Sequence, residues 1–183
     1  LPLAVAGDGR FQANGNGAVG VISLTFGEWA AVNAAVGAEA SGNASIGLAS
    51  VAQSQDLAVN ALARLETLDN GIFGVYQSTS ANDFAAVSLL ADVNASGNGA
   101  GPLAGGGIFT QTGSSAGSAV LLGLSTDALR PLAGVLGEEF LGAPFELPGE
   151  SFGPVVASGN TGFGIRAVVQ GHALAAAALL DVQ

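Results

Sequence analysis

Apolar runs of about six to twelve residues alternate along the chain with short clusters of Gly, Asn and Ser. The clusters lie at 14–17, 41–43, 69–71, 96–99, 113–115 and 158–162. Asn-Gly and Asp-Asn-Gly adopt positive φ at low cost, which tight hairpin turns require. The pattern therefore predicts strands joined by turns, at 9–14, 18–26, 45–53, 56–65, 71–78, 84–93, 106–112, 117–124, 153–158 and 162–170.

The first four clusters recur roughly every 27–28 residues, a period that suits a hairpin-sized repeat. The segments between them share no residue pattern. Residues 33–60 are similar in composition to the Ala/Ser/Gly/Asn repeats of left-handed β-roll adhesin heads and of curli-like amyloid proteins. They lack the fixed spacing of those repeats, so the resemblance is one of composition alone.

One segment has a helical pattern instead. Ser125 can cap a helix, and apolar residues follow it at helical spacing, at Leu129, Leu132, Leu136 and Phe140. We expect a helix at 126–141, whereas residues 171–182 fit either a helix or a strand. Many strands and one short helix predict a single all-β domain over 1–183, an antiparallel β-sandwich or barrel of jelly-roll type.

The charge content excludes several classes of partner. Only 10% of the residues are charged, there is no Lys, and four Arg face fourteen acidic residues, for a net charge of −10. Nucleic acid is a poor partner, because neutralising phosphates requires clustered cations. Anionic membrane surfaces are disfavoured for the same reason. A surface kept soluble by Asn, Gln, Ser and Thr suits close association with other copies of the chain.

Cys and Met are both absent, which removes disulfides, thiolate chemistry and the two most easily oxidised side chains. A chain that begins Leu1-Pro2-Leu3 without Met suggests removal of a secretory signal peptide. We therefore expect a secreted protein, extracellular or on the cell surface. No apolar run has the length of a membrane helix, so no helical membrane span is predicted.

Two short motifs are associated with enzymes. Residues 15–20 match G-x-G-x-x-G, but the run that follows has a strand pattern, so we interpret them as a turn. Residues 113–117 match G-x-S-x-G, and the order Ser115, Asp127, His172 resembles the triad of α/β-hydrolases. The alternating βα pattern of that fold is absent. Ser115 is therefore interpreted as a polar turn residue, and the protein as not an enzyme.

Metal and glycan sites are weakly indicated. His172 is the only histidine, so a transition-metal site has no second imidazole or thiolate. Acidic residues are densest at Glu138, Glu139, Glu146 and Glu150, which could hold calcium but have the pattern of solvated charges. No cofactor is predicted. Asn43 and Asn94 begin N-x-S sequons and would carry glycans only in a glycosylating export pathway.

These features favour a structural subunit that assembles into a filament, pilus-like fibre, sheath or surface layer. Residues 1–11 could act as a donor strand inserted into a neighbour, and this resembles pilus subunits. The predicted interface residues are Leu1, Leu3, Val5, Gly7 and Phe11. The alternatives are an outer-envelope β-barrel or pore, for which one Trp and one Tyr give no aromatic girdle, and a serine hydrolase that uses Ser115.

Overall fold

Successive turns of the chain stack on one another as the coils of a parallel β-helix. The structure is a computed structural model that describes residues 3–6, 11–103, 105–123, 153–180 and 182–183. It contains fourteen strands: β1 Leu3–Ala6, β2 Phe11–Gln12, β3 Val19–Phe26, β4 Ala30–Val36, β5 Ala38–Glu39, β6 Ile46–Ser54, β7 Leu57–Leu68, β8 Phe73–Ala81, β9 Ala85–Ser96, β10 Gly106–Ser114, β11 Gly117–Leu122, β12 Val155–Val156, β13 Phe163–Gln170 and β14 Leu174–Leu179.

The strands form two sheets. Sheet B has five strands in the order β13-β10-β8-β6-β3, and sheet A follows the order β1-β4-β7-β9-β11-β14, with the short strands β2, β5 and β12 alongside. Each coil passes through sheet B, then sheet A, then a short third segment formed by β5, β12 or the last residues of β7 and β9. Each strand therefore pairs with the equivalent strand of the next coil.

The predicted antiparallel sandwich or barrel is wrong, because every strand pair in the described residues is parallel. Five of the six clusters expected in hairpin turns contain a residue with positive φ, as at Gly15 (70°), Gly42 (65°) and Asp69 (54°). These three residues turn a corner from the third segment into sheet B and do not reverse the chain. The spacing of 27 or 28 residues is the length of one coil from Asn16 to Asn98, and the later coils are longer.

The predicted positions of the strands agree with the structure better than their predicted directions do. The runs predicted at 18–26, 45–53, 71–78, 106–112 and 162–170 overlap the five strands of sheet B. Strand β4 was not predicted, and the ambiguous run at 171–182 contains strand β14. The described residues contain no helix, and the helix predicted at 126–141 lies outside them.

The core lies between the sheets and consists of aligned columns of aliphatic residues. Leu48, Val75 and Ile108 occupy the same register in sheet B and are fully buried. Leu62, Leu90 and Leu122 do the same in sheet A. Full burial of one such side chain stabilises the fold by about 1.5–3 kcal/mol. Each internal coil is therefore held by the coil on either side of it.

Candidate assembly interface

A ladder of asparagines joins the coils at the corner that leads into sheet B. The Oδ1 of Asn43 accepts hydrogen bonds from the backbone N–H (2.9 Å) and the Nδ2 (2.8 Å) of Asn16. Asn70 receives the same pair from Asn43, at 3.0 and 2.8 Å, and Asn98 receives it from Asn70, at 2.9 and 2.9 Å. Asn160 receives it from Asn98, at 2.8 and 3.3 Å. The ladder thus fixes the register of each coil on the next.

A row of glycines makes room for this ladder. A Cβ added at Gly47 would lie 2.7 Å from the Nδ2 of Asn70, and one added at Gly74 would lie 2.6 Å from the Nδ2 of Asn98. Both distances are shorter than real Cβ contacts. The asparagine side chain and the glycine backbone therefore pack as one unit in each coil.

The sequence carried this signal, but it was not found. A glycine follows the ladder asparagine four residues later at Asn16, Asn43, Asn70 and Asn160. In the coil of Asn98 the interval is longer. Alignment of the Gly/Asn/Ser clusters on these asparagines reveals the repeat. The G-x-G-x-x-G match at residues 15–20 belongs to one of its corners.

Polar side chains also bridge the two sheets inside the solenoid. The hydroxyl of Ser23 donates to the Oδ1 of Asn33 (2.7 Å), whose Nδ2 donates to the Oγ of Ser50 (2.9 Å). The Ser50 hydroxyl then donates to the Oδ1 of Asn60 (2.7 Å). Because buried amides are costly when unpaired, this chain of bonds fixes how sheet B lies on sheet A.

At the C-terminal end of the solenoid, strand β13 pairs only with β10 and β14 only with β11, among the described strands. Leu179 continues the buried column of Leu90 and Leu122, yet it is 56% exposed because none of the described strands covers it. Leu174 and Leu180 are exposed to a similar degree, at 61% and 60%. This end presents apolar side chains and two free strand edges.

At the N-terminal end, strand β3 pairs only with β6 in the described chain. Ile22, Leu24 and Phe26 alternate with the more buried residues of this strand, so they lie on the outer, lateral face of sheet B, where they are 60%, 53% and 60% exposed. Trp29, at the next corner, is 62% exposed. These side chains therefore form an exposed apolar area on the side of the solenoid, close to its N-terminal end.

Three of the five residues predicted for the interface are described, and they lie at this same end. Leu3 and Val5 belong to β1, where they pair with Ala30 and Val32 of the same chain. Phe11 lies in β2, opposite Ala38. Leu1 and Gly7 lie outside the described residues. The N-terminal strand thus forms part of the first coil of its own solenoid, as the outermost strand of sheet A.

The strands of sheet B are free of carboxylates. Their single charged residue is Arg166, whose guanidinium lies 5.8 Å from the ring centre of Phe109. The described Asp and Glu residues lie in sheet A, in the third segment and at the corners. The free edges of β3 and β13 therefore carry no negative charge that would keep another strand away.

The candidate hydrolase residues do not form a nucleophile elbow. Ser115 lies in a turn between strands β10 and β11, whereas the elbow joins a strand to a helix. Its exposed hydroxyl donates to the backbone oxygen of Asp83 at 3.1 Å. Ser115 and His172 both line one surface pocket of about 680 Å³. Asp127 lies outside the described residues. This geometry favours the interpretation of Ser115 as a turn residue.

The two sequons lie in different settings. Asn43 is buried, with its Nδ2 donating within the ladder, so a glycan on that nitrogen would compete with the ladder bond. Asn94 is half-buried, and its Oδ1 accepts a hydrogen bond from the hydroxyl of Ser96 at 2.7 Å.

Metal and membrane features were searched within the described ranges. No group of three or more His, Asp or Glu side chains there has an arrangement that could hold a metal ion. The acidic residues predicted to be densest, at 138–150, lie outside those ranges. The described part of the chain also contains no helix with the length and hydropathy needed to cross a bilayer.

The chain matches no protein-family model, and neither a curated protein nor a solved structure is significantly similar to it. Functional inference therefore rests on the geometry of the solenoid and its ends.

Proposed function

We propose that this protein is a structural subunit that polymerises end to end into an extracellular filament or surface layer. The observation that carries the proposal is that the terminal strands of both sheets have one edge without a partner among the described strands, and that the inward-facing Leu179 in the last of these strands is 56% exposed. Solenoid proteins that stay monomeric cover their terminal coils with polar caps. Proteins also protect exposed strand edges with charges, proline or bulges. Strands β3 and β14 contain no charged residue and no proline.

The two ends are complementary to each other and not to themselves. All pairs are parallel, so β1 of one copy laid on β14 of another continues the pairing of sheet A in the same direction. Such a head-to-tail contact is heterologous, and heterologous contacts that do not close produce filaments. The small side chains of the run Ala175–Ala178 in β14 allow a neighbouring strand to approach at the usual spacing of about 4.8 Å.

In this proposal strand β1 meets the neighbour by edge pairing. Leu3 and Val5 therefore remain interface residues, although β1 is already paired along its other edge with β4. The difference from donor-strand insertion is that no subunit needs a vacant position within its own sheet. Assembly then depends on the outermost coils and not on a detached arm.

We also propose that the filament lies outside the cell. The missing Cys and Met residues suit an oxidising environment. Where the export pathway glycosylates, Asn94 is the sequon that we expect to be modified, because it lies outside the ladder. The neutral amide and hydroxyl side chains on the solenoid keep the lateral surfaces compatible with water without many charges.

The test compares one charge at an end with one charge in the middle. Leu179→Lys places an ammonium group in the apolar column at the C-terminal end. Phe84→Lys places the same group in an internal coil, at a side chain of comparable exposure, 61%. We expect sedimentation velocity and electron microscopy to show assembly of the parent and of Phe84→Lys. Leu179→Lys should remain monomeric at concentrations about tenfold higher, because an interfacial charge without a partner is costly.

Leu3→Asp is the complementary change at the other end and should have the same effect. Assembly of Leu179→Lys at the concentration that suffices for the parent would contradict end-to-end polymerisation. Equal loss of assembly in Phe84→Lys would do the same, since it would place the contact on the sides of the solenoid.

A further inference from the structure

The outer face of sheet A is apolar across all its long strands. Alternate residues of these strands face the core and the outside, and the outward positions of β4, β7, β9, β11 and β14 form three columns. The columns on either side contain only Ala, Leu and one Gly. The middle column consists of Val32, Val59, Val87, Ala119 and Ala176. We call these three columns the apolar face of sheet A, since none of their side chains can form a hydrogen bond.

The other lateral surfaces of the described solenoid contain polar side chains. The outer face of sheet B includes Gln53 and Gln111, and that of the third segment includes Glu39 and Glu66. The amide, hydroxyl and carboxylate groups that hydrate those surfaces are missing from the apolar face of sheet A. This difference between faces of one solenoid indicates that the apolar face meets a partner and not water.

The dimensions of the apolar face are those of an interaction surface. Its five strands are spaced about 4.8 Å apart, and its columns cover about 20 Å of each strand, so its area is roughly 500 Å². A patch of that size is as large as the largest apolar patches on ordinary monomers, which are often functional. End-to-end pairing of β1 with β14 continues sheet A, so the apolar faces of successive subunits would form one stripe along the filament.

We propose that the apolar face of sheet A binds the same face of a second copy, so that filaments associate side by side in pairs. The inference rests on the proposed end-to-end filament and describes its second contact. Two sheets pack face to face at a separation of about 10 Å. The columns consist mostly of Ala and Val, so few long side chains project from either face to hold the two sheets apart.

The charge distribution favours a second copy as the partner. The chain has a net charge of −10, so two copies repel each other wherever their carboxylates meet. The described carboxylates nearest to the apolar face lie around it: Asp56 and Asp83 precede β7 and β9, and Asp92 follows the columns in β9. Two apolar faces can therefore meet without burying a carboxylate. The same carboxylates disfavour an anionic membrane surface as the partner.

The area of the face determines when pairing occurs. One pair of faces buries about 1,000 Å² in total, below the roughly 1,200–2,000 Å² of stable specific interfaces. Single subunits should therefore pair weakly, and the Leu179→Lys protein should remain monomeric. Two filaments have the same subunit repeat, so every subunit adds one contact, and linked contacts bind far more tightly than a single one. Pairing is thus a property of the filament.

Val87→Asp tests the pairing with a carboxylate in the middle of the apolar face. Val51→Asp is the matched control, because Val51 is also a half-buried valine that faces outward from an internal strand, but in sheet B. We expect electron microscopy to show paired filaments for the parent and for Val51→Asp, and single filaments for Val87→Asp. The mass per unit length of Val87→Asp filaments should be about half that of the parent, because an unpaired charge in an apolar contact is costly.

A second pair of variants tests the face without adding charge. Ala61→Gln and Ala49→Gln each place a long uncharged side chain at a half-buried, outward-facing alanine, in sheet A and in sheet B respectively. Neither alanine belongs to the core, so urea unfolding should show both variants folded. Ala61→Gln should halve the mass per unit length of the filaments, because the longer side chain keeps the two faces apart, and Ala49→Gln should leave it unchanged.

Single filaments of the parent would overturn side-by-side pairing and leave end-to-end polymerisation standing. Unchanged mass per unit length in folded Val87→Asp and Ala61→Gln would do the same. If single parent filaments bind neutral phosphatidylcholine vesicles and Val87→Asp filaments do not, the face binds lipid and the inference is also wrong. If the parent forms no filaments but forms dimers in sedimentation velocity that Val87→Asp abolishes, the face contact stands and the proposed function fails. Neither filaments nor dimers would overturn both.

Discussion

The asparagine ladder should be the most sensitive part of the fold, and Asn70→Ala tests this. Asn70 is fully buried. Its Oδ1 accepts from the backbone N–H and the Nδ2 of Asn43, and its Nδ2 donates to the backbone oxygen of Ala40 (2.9 Å) and to the Oδ1 of Asn98. Truncation to Ala removes all four of these bonds in the middle of the ladder.

The cost follows from the groups that lose a partner. The two nitrogens of Asn43 and the oxygen of Ala40 lie where water has little access, and an unsatisfied buried polar group costs about 1–3 kcal/mol. Local relaxation recovers part of this, so we expect the free energy of unfolding to fall by about 3–6 kcal/mol. A loss of that size is a large fraction of the total stability of an ordinary domain.

Asn16→Ala is the matched control. Asn16 stands at the exposed end of the same ladder, and within the described part of the chain its side chain makes only the 2.8 Å bond to the Oδ1 of Asn43. We expect a loss of about 0.5–1.5 kcal/mol, the usual net value of one hydrogen bond. Both variants are measured by urea unfolding, followed by far-ultraviolet circular dichroism in the Leu179→Lys background. Equal losses for Asn16→Ala and Asn70→Ala would refute the reasoning.

Three further predictions concern the glycine row, the candidate serine and salt. Gly47→Ala should lower the free energy of unfolding by more than about 2 kcal/mol through overpacking, whereas Gly17→Ala, with open space around it, should change it by less than about 0.5 kcal/mol. Ser115→Ala should leave the protein folded, and we expect a fluorophosphonate to label the parent and this variant equally weakly. Strong labelling of the parent that Ser115→Ala abolishes would contradict the turn interpretation. Raising NaCl at neutral pH should not dissociate the assembly, because screening removes little from a surface with few charges, and light scattering checks this.

Local sequence signals located the strands but not their direction. Short runs bounded by Gly, Asn and Ser clusters, as in β6 and β8, predict strands in any sheet. Clusters with Asn-Gly are typical of hairpin turns, and parallel sheets usually bury both faces, so the pattern favoured an antiparallel fold. The solenoid is the exception, because its parallel sheets have one face inside and one outside. Nothing in a single strand indicates that its partner lies 27 residues away.

Alanine-rich strands and buried amides were the hardest features to predict. Strands β4 and β14 consist largely of Ala, which has a low β-propensity, and form here because neighbouring coils pair with them. Asn33 and Asn60 look like surface residues in the sequence, yet both are buried in the bridge between the sheets. The assembly interface at residues 1–11 stays a prediction, and the sequence alone could not show that β1 pairs with β4 as part of the first coil.

X-ray fibre diffraction from aligned assemblies of the parent protein tests end-to-end polymerisation most directly. If the solenoids stack end to end, every strand lies across the filament axis, and we expect a meridional reflection at about 4.7–4.8 Å. That reflection should disappear with the filaments in Leu179→Lys and persist in Phe84→Lys. A parent that stays monomeric at every concentration, or filaments whose strand-spacing reflection lies on the equator, would contradict polymerisation through the open ends of the solenoid.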